Sequence, residues 1–281
     1  MPDEQEKRRD MSIQKNILIL LVLFCVTTAE VKAADPLVMA GSGSNLAATQ
    51  LLIDAFKKNR PEISIAPLTN IGSTGAVQAA ADGVISLGLL SRPLKDNEKT
   101  HNLVVFPYAR TPFVVGAHAG VDDDGITLSD LVNIYKGTKT TWKNGRTIVV
   151  LTREPGESSI DLLQEKVPGF REVYADSIKA RRWTMVMKDE QMNERLMTTP
   201  DAIGFSDMGT IVAKKLNIKP LKLNGIAPTS ANVRNGTYTL FKPLAFTCRH
   251  DRLTPEVRAF IEYACSSAGH EILEKNGYAF F

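Results

Sequence analysis

Histidine and cysteine are scarce in this chain, with four of one and three of the other in 281 residues. His101, His118, His250 and His270 stand at no metal-ligand spacing, so no metal site is expected. No Gly-x-Ser-x-Gly elbow surrounds any serine, which speaks against a serine hydrolase. No Gly-Lys-Ser/Thr follows a glycine loop, so a P-loop is absent. Gly41-Ser42-Gly43 lacks the third glycine and the acidic partner of a dinucleotide site. Charge of one sign is also missing: 34 Lys and Arg face 31 Asp and Glu, a net of +3. With no long basic run, nucleic acid is not an expected partner. Internal repeats, low-complexity tracts and flexible linkers are lacking too, so any lobes should be tightly joined.

One long apolar run is present, and it is short for a membrane span. Lys15 precedes Ile17 to Val26, small residues follow, and Val31-Lys32-Ala33 fits a small-x-small cleavage site. Residues 1–33 therefore read as a signal peptide, with Met11 as an alternative start and an uncleaved anchor as the other reading. Cys25 is no lipidation site, because Val22-Leu23-Phe24 lacks the small residues that processing needs. Cys248 and Cys265 remain beyond the leader. An even pair in an exported chain permits one disulfide, and two free thiols fit the spacing as well.

From Pro36 onward apolar strands alternate with helices, which predicts an α/β fold with a largely parallel sheet. Strands are expected over Pro36–Ala40, Ile63–Leu68, Ile85–Leu90, Thr147–Leu151 and 201–206. Helices are expected over Leu46–Asn59, Gly75–Asp82, Thr127–Tyr135, Ser159–Lys166 and Met208–Leu216. Asn102–Ala109 and Phe113–Ala117 read as two strands, and the Arg110-Thr111-Pro112 between them as a crossing point between lobes. Tyr238–Cys248 reads as a strand that Pro243 breaks or confines to an edge.

Three strand–loop–helix turns stand out. Gly41-Ser42-Gly43-Ser44-Asn45 and Gly72-Ser73-Thr74-Gly75 each lie between a strand and a helix. Arg153 ends a third strand, and Pro155-Gly156-Glu157-Ser158-Ser159 leads into a helix. Helix starts present unpaired N–H groups and the positive end of the helix dipole, so they suit anions. A guanidinium adds two parallel donors for a tetrahedral oxyanion. Loops at the same ends of parallel strands converge in space, so the three together suggest a small-oxyanion site.

These motifs carry a resemblance. GSGSN, IGSTGAVQAAADGVISLGLLSRPL, IYKGTKTTWKNG, LTREPGESS, PDAIGFSDMG and the ending from PLAFTCR to NGY, in that order, make Leu37–Phe281 similar to the phosphate-binding extracytoplasmic components (PstS-like) of ABC phosphate transporters. The resemblance implies a two-lobed periplasmic binding-protein fold, type II-like, with the ligand in the cleft between lobes. Residues 34–111 plus 238–281 would form lobe 1, and 112–237 lobe 2. By position, the ligand contacts would be Ser44, Asn45, Ser73, Thr74, Ser91, Arg92, Arg153, Glu157, Ser158 and Ser159. The implied protein is a non-enzymatic, periplasmic monomer without cofactor. It captures phosphate or a related oxyanion and hands it to a membrane ABC permease. A ligand-sensing adaptor and a secreted phosphatase are the other readings.

Two positions depart from the family pattern. Many members carry Asp where Arg92 stands, a carboxylate that accepts the proton of hydrogen phosphate. The pattern after the arginine reads Gly-Ser-Gly-Thr, whereas here it is Gly156-Glu157-Ser158-Ser159. A carboxylate at an anion site repels the ligand unless it accepts a ligand proton or is held by a cation. Glu157 is therefore expected either to take over as acceptor or to be clamped by Arg92 or Arg153, with a loop glutamate that points to solvent as the other reading.

Overall fold

The computed structural model describes residues 35–280. The expected leader, Met11 and Cys25 lie outside the described residues. The strands, in chain order, are β1 (Met39–Gly41), β2 (Thr69–Asn70), β3 (Leu87–Leu90), β4 (Leu103–His118), β5 (Gly125–Ile126), β6 (Val149–Thr152), β7 (Thr184–Met185), β8 (Ala202–Asp207), β9 (Ile218–Pro220), β10 (Lys222–Leu223) and β11 (Phe241–Arg249). The main sheet runs β2-β1-β3-β11-β4-β8-β6-β7, with β9 also on β4 and a separate β10–β5 pair.

The sheet is mixed rather than largely parallel. β1 is parallel to β2 and β3, and β6 is parallel to β7 and β8. The two parallel sets are joined by β11 and β4, which run antiparallel to each other and to their neighbours. Alternation of strands and helices does not distinguish a continuous parallel sheet from two parallel halves joined in this way.

β4 is one 16-residue strand, not two. Its first part, through Pro112, pairs with β11, and from Phe113 it pairs with β8. The crossing expected around residues 110–112 is therefore a change of partner without a break. Thr111 anchors it, donating to Asp207 Oδ1 at 3.0 Å and accepting from the Gly209 N–H at 3.1 Å. Pro243 lies inside β11, a central strand. The bond it cannot donate is not missed, because β3 joins β11 only at Ala245–Thr247 and the register shifts between Leu244 and Ala245. At Pro243 the strand has one neighbour.

Two apolar cores flank the crossing. One gathers Leu52, Phe56, Leu87, Tyr108, Phe246 and Phe260, with Tyr108 stacked on Phe246 at 4.3 Å. The other gathers Phe113, Tyr135, Ile160, Phe170, Tyr174 and Phe205. This is the two-lobed arrangement. The helix Gly43–Asn59 buries Ala48, Leu52 and Phe56 on one stripe and ends on Lys57 and Lys58, which suit the negative end of its dipole. The helix Leu128–Lys136 opens on a Thr127–Asp130 capping box and closes on Gly137 at φ 85°. Two further helices, Phe170–Lys179 and Asp189–Thr198, have β7 between them. The turn-rich 220–236 contains β10 and the short helix Ser230–Arg234.

Cys248 and Cys265 are free thiols, one in the first core and one exposed. Burial pushes both thiols up, and Cys248, packed in the core, is the less accessible of the two. Of these two cysteines, iodoacetamide at neutral pH should label Cys265 in the folded protein and Cys248 only after denaturation. Equal labelling rates read by mass spectrometry would contradict this packing.

Candidate functional site

Parallel strands bring the loops of interest to one place. β1 leads into Ser42 and the helix Gly43–Asn59, β2 into the helix Gly72–Ala81, and β6 through Arg153 into the helix Ser158–Lys166. Gly41 is needed where β1 meets β3, because a Cβ there would stand 2.2 Å from the Leu89 carbonyl oxygen. Between the loops lies a cavity of about 370 Å³. Ser42, Asn70, Ser73, Thr74, Arg92, Arg153, Glu154, Glu157, Ser158, Lys188 and Asp189 are among its lining residues.

Hydroxyls converge on Ser91 beneath this cavity. Its N–H donates to Ser73 Oγ at 3.1 Å, its Oγ lies 2.6 Å from Ser42 Oγ, and it donates to Ser158 Oγ at 3.1 Å. Serines on the loops after β1, β2 and β3 thus meet the serine that opens the helix after β6. Helix starts point the same way. Those at Gly43, Gly72 and Asp189 have no side-chain cap. The helices starting at Leu128, Met208, Ser230, Pro255 and Ser267 are capped by Thr127, Asp207, Thr229, Thr254 and Ser266. The Phe170 helix also lacks a side-chain cap, but it starts in the second core. Around the cavity the Gly72 N–H donates to Asn70 Oδ1 at 3.3 Å, and other leading N–H groups are left for another acceptor.

Three cations define the charge. Arg153 is 4% exposed and makes one hydrogen bond, from Nη2 to the Met187 carbonyl at 3.0 Å. Its Nη1 lies 3.3 Å from Asp189 Oδ1, and its buried Nε, 3.4 Å from Glu154 Oε2, has no hydrogen-bond partner. Its terminal nitrogens thus keep N–H donors that no protein hydrogen bond uses, with Asp189 and Glu154 as ion partners beside them. Arg92 differs. Its two terminal nitrogens each lie 2.7 Å from a Glu98 oxygen, and they also donate to Pro93 O at 2.9 Å and Thr74 Oγ1 at 3.0 Å. Arg92 lines the cavity but works as a clamp that orients Thr74. The third cation, Lys242, is 2% exposed and sits on β11. Its Nζ donates to Ser44 Oγ at 3.0 Å and to Ser159 Oγ at 2.8 Å, and lies 3.6 Å from Glu157 Oε1.

Glu157 is held, not exposed to solvent. It caps its own helix, accepting from Ser159 N at 2.9 Å and from Ser158 Oγ at 2.7 Å. Burial alone would raise its pKa, but Lys242 and then Arg153 outweigh that and pull it down to about 2. The holding cation nearest to it is Lys242, whereas Arg92 is bound to Glu98. Burial pushes Asp189 the other way, helped by the charge of Glu157 and opposed by Lys242 and Arg153.

Of the residues expected from the sequence, Ser73, Thr74, Arg92, Arg153, Glu157 and Ser158 line the cavity. Ser91 lies under it, and Ser44 and Ser159 hold Lys242. Asn45 is fully buried. Its amide donates to Leu90 O, and its carbonyl oxygen accepts from Thr49 and Tyr108. Ser42, Asn70, Lys188, Asp189 and Lys242 were not anticipated. Lys242 had a signal, as a lone lysine in an apolar strand run. Asp189 had none beyond its place at a helix start.

The Lys242–Glu157 pair yields a stability prediction. Lys242→Met leaves a buried carboxylate without its nearest cation and should cost about 3–5 kcal/mol in urea unfolding, with Glu157→Gln added in the same chain restoring most of it. Because the Glu157 pKa is lowered in the folded state, its contribution is complete above its ordinary 4.5 and is lost as pH falls towards 2. Glu157→Gln should therefore flatten the stability–pH curve in that window. An unchanged curve would show that the carboxylate is not held by charge.

Comparison with known proteins agrees with this architecture. A family model described as a PBP superfamily domain matches residues 26–268. A phosphate-binding protein PstS from Borreliella burgdorferi is 24% identical over 220 residues, covering 74% of this chain and 76% of that protein. A crystal structure from Clostridium perfringens superposes with a TM-score of 0.79 at 25% identity, covering 88% of this chain and all of that one. Its description is a candidate phosphate ABC transporter substrate-binding protein with bound phosphate. An ABC-type phosphate transport receptor from Vibrio cholerae shares the fold, with a TM-score of 0.64 at 22% identity over 87% of this chain and all of that one. The two parallel half-sheets joined through β4 and β11, with helix starts facing one cavity, are thus those of a PstS-like member of the PBP superfamily, to which this chain belongs.

Proposed function

We propose that this protein captures phosphate or a related tetrahedral oxyanion in the cavity, outside the cytoplasm, and delivers it to a membrane ABC permease. The observation that carries the reading is Arg153: a buried guanidinium with N–H donors that no protein hydrogen bond uses, beside uncapped helix starts and converging hydroxyls. Such a site binds an anion by many short, desolvated hydrogen bonds. The similarity to the Clostridium perfringens protein solved with phosphate supports the choice of anion. Residues 34–111 plus 238–281 then form one lobe and 112–237 the other, a division supported by the partner change of β4 after Pro112.

We read the site as one for binding and not for catalysis. Ser158 does donate to Glu157, as a nucleophile would to its base. A carboxylate pulled down to about 2 is too weak a base to activate a hydroxyl at neutral pH. Among the described residues no cluster of His, Cys, Asp and Glu could hold a metal ion.

Calorimetry of the purified protein against phosphate, arsenate, sulfate, molybdate and tungstate tests the reading. A one-to-one isotherm with phosphate is expected, and Arg153→Ala should weaken it by about 2–5 kcal/mol, the range for truncating a buried charge partner. Absence of heat with every oxyanion would refute the proposal, and an unchanged affinity in folded Arg153→Ala would remove Arg153 from the site.

A further inference from the structure

We infer that the protein has a second binding site, adjoining the anion cavity, that takes an aromatic carboxylate. Ser91 lies under the anion cavity and lines another cavity of about 830 Å³. That volume falls within the usual span of small-molecule sites, roughly 300–1,000 Å³. Arg92 and Ser158 line both cavities. The other walls belong to the second cavity alone. They come from the segment after β3, from β4 and β11, and from the helices Ser158–Lys166 and Ser230–Arg234. A ligand there touches chain from both sides of the crossing at which β4 changes partner.

The chemistry of this cavity differs from that of the first. Leu162, Val233, Tyr238 and Phe241 give it an apolar wall that is continuous with the second core. Tyr238 spends its hydroxyl on the Phe113 carbonyl at 2.7 Å, so its ring is what it offers. Inorganic phosphate gains nothing from such a wall, whereas an organic body gains by covering it.

Much of the remaining lining is cationic. Six Lys and Arg side chains line the cavity against two carboxylates, Asp161 and Glu165. Both carboxylates are paired within the lining, Asp161 with Lys95 at 3.1 Å and Glu165 with Lys166 at 2.8 Å. Arg92, Arg110, Arg234 and Lys242 are left over. The carboxylates beside three of these, Glu98, Glu274 and Glu157, stand outside the lining. Arg92 and Lys242 have donors committed to protein acceptors and act on a ligand mainly through their field. Arg110 and Arg234 are the cations placed to meet an anionic head. The Arg110 guanidinium lies 4.9 Å from the centre of the Phe241 ring. A flat ring laid against this pair extends the stack, while its carboxylate meets the cations. The apolar wall, the stack and the surplus of positive charge together specify an aromatic carboxylate.

Calorimetry with naphthalene-2-carboxylate at two temperatures tests this, with naphthalene-2-methanol as the neutral compound of similar shape. One-to-one binding of the carboxylate is expected, about tenfold or more tighter than the alcohol, as a charge-assisted hydrogen bond requires. Arg234→Glu reverses an exposed charge and Leu162→Glu puts a carboxylate on the apolar wall. Each should weaken naphthalene-2-carboxylate by about tenfold and leave phosphate affinity within about threefold, with an unchanged thermal transition as the check on folding. Arg153→Ala, in the anion cavity, should leave naphthalene-2-carboxylate binding unchanged, and saturating phosphate should not displace it. Absence of binding at both temperatures overturns the inference, as does equal affinity for the alcohol. Unchanged binding in Arg234→Glu or in folded Leu162→Glu overturns it too, and if Leu162→Glu does not fold, Arg234→Glu decides. Displacement by phosphate, or loss with Arg153→Ala, would put the ring in the anion cavity and also overturn it. The oxyanion reading fails separately: wild type would then bind no phosphate, while the carboxylate titrations keep their meaning.

Discussion

The ammonium of Lys242 is the interaction on which the cleft depends. It reaches Ser44 at the start of one helix, Ser159 at the start of another, and the carboxylate that caps the second. A buried lysine is expensive to desolvate unless it is hydrogen-bonded and paired, and these contacts meet both conditions. They also fix the geometry. Ser44 belongs to the helix packed in the first core and Ser159 to the helix packed in the second, so one charge registers the two helix starts against each other. The serine network around Ser91 and the guanidinium of Arg153 keep their places because that register holds.

The site divides its charged residues into two kinds. Some are satisfied within the protein and act as scaffolding: Arg92 on Glu98, Lys242 on its serines, Glu157 on its own helix. Others retain capacity for a ligand, chiefly Arg153. The charged residues that line the anion cavity balance, with Arg92, Arg153 and Lys188 against Glu154, Glu157 and Asp189. Affinity for an anion must then come from oriented donors more than from net charge, which makes it less sensitive to salt than a basic patch would be.

Much of this was legible in the sequence, and for physical reasons. Glycine–serine turns after apolar strands mark helix starts, and the loops named from them do converge. The crossing at Arg110-Thr111-Pro112 was readable because two apolar strands flank it, although nothing local showed that they form one strand. Long-range pairing was not legible. The parallel alternation hid the antiparallel joint of β4 and β11, and Pro243 in a central strand is tolerated only because β3 ends short of it. Asn45 entered the expected ligand set by position, through the resemblance, yet Tyr108 and Thr49 claim it from the core side. Lys242 and Asp189 come from segments far along the chain, and their meeting depends on how the halves fold back.

The place of β11 has a consequence for how the chain acquires its shape. It lies between β3 and β4, yet more than a hundred residues of chain separate it from them. While the polypeptide emerges from the ribosome, the first core lacks its central strand, and β3 and β4 present unpaired backbone edges until the C-terminal segment arrives. Such late, non-local closure slows folding and leaves time for aggregation or for a helper to bind the open chain. The segment that completes the sheet also brings Lys242, so the halves are aligned at the cleft only in the final stage of folding.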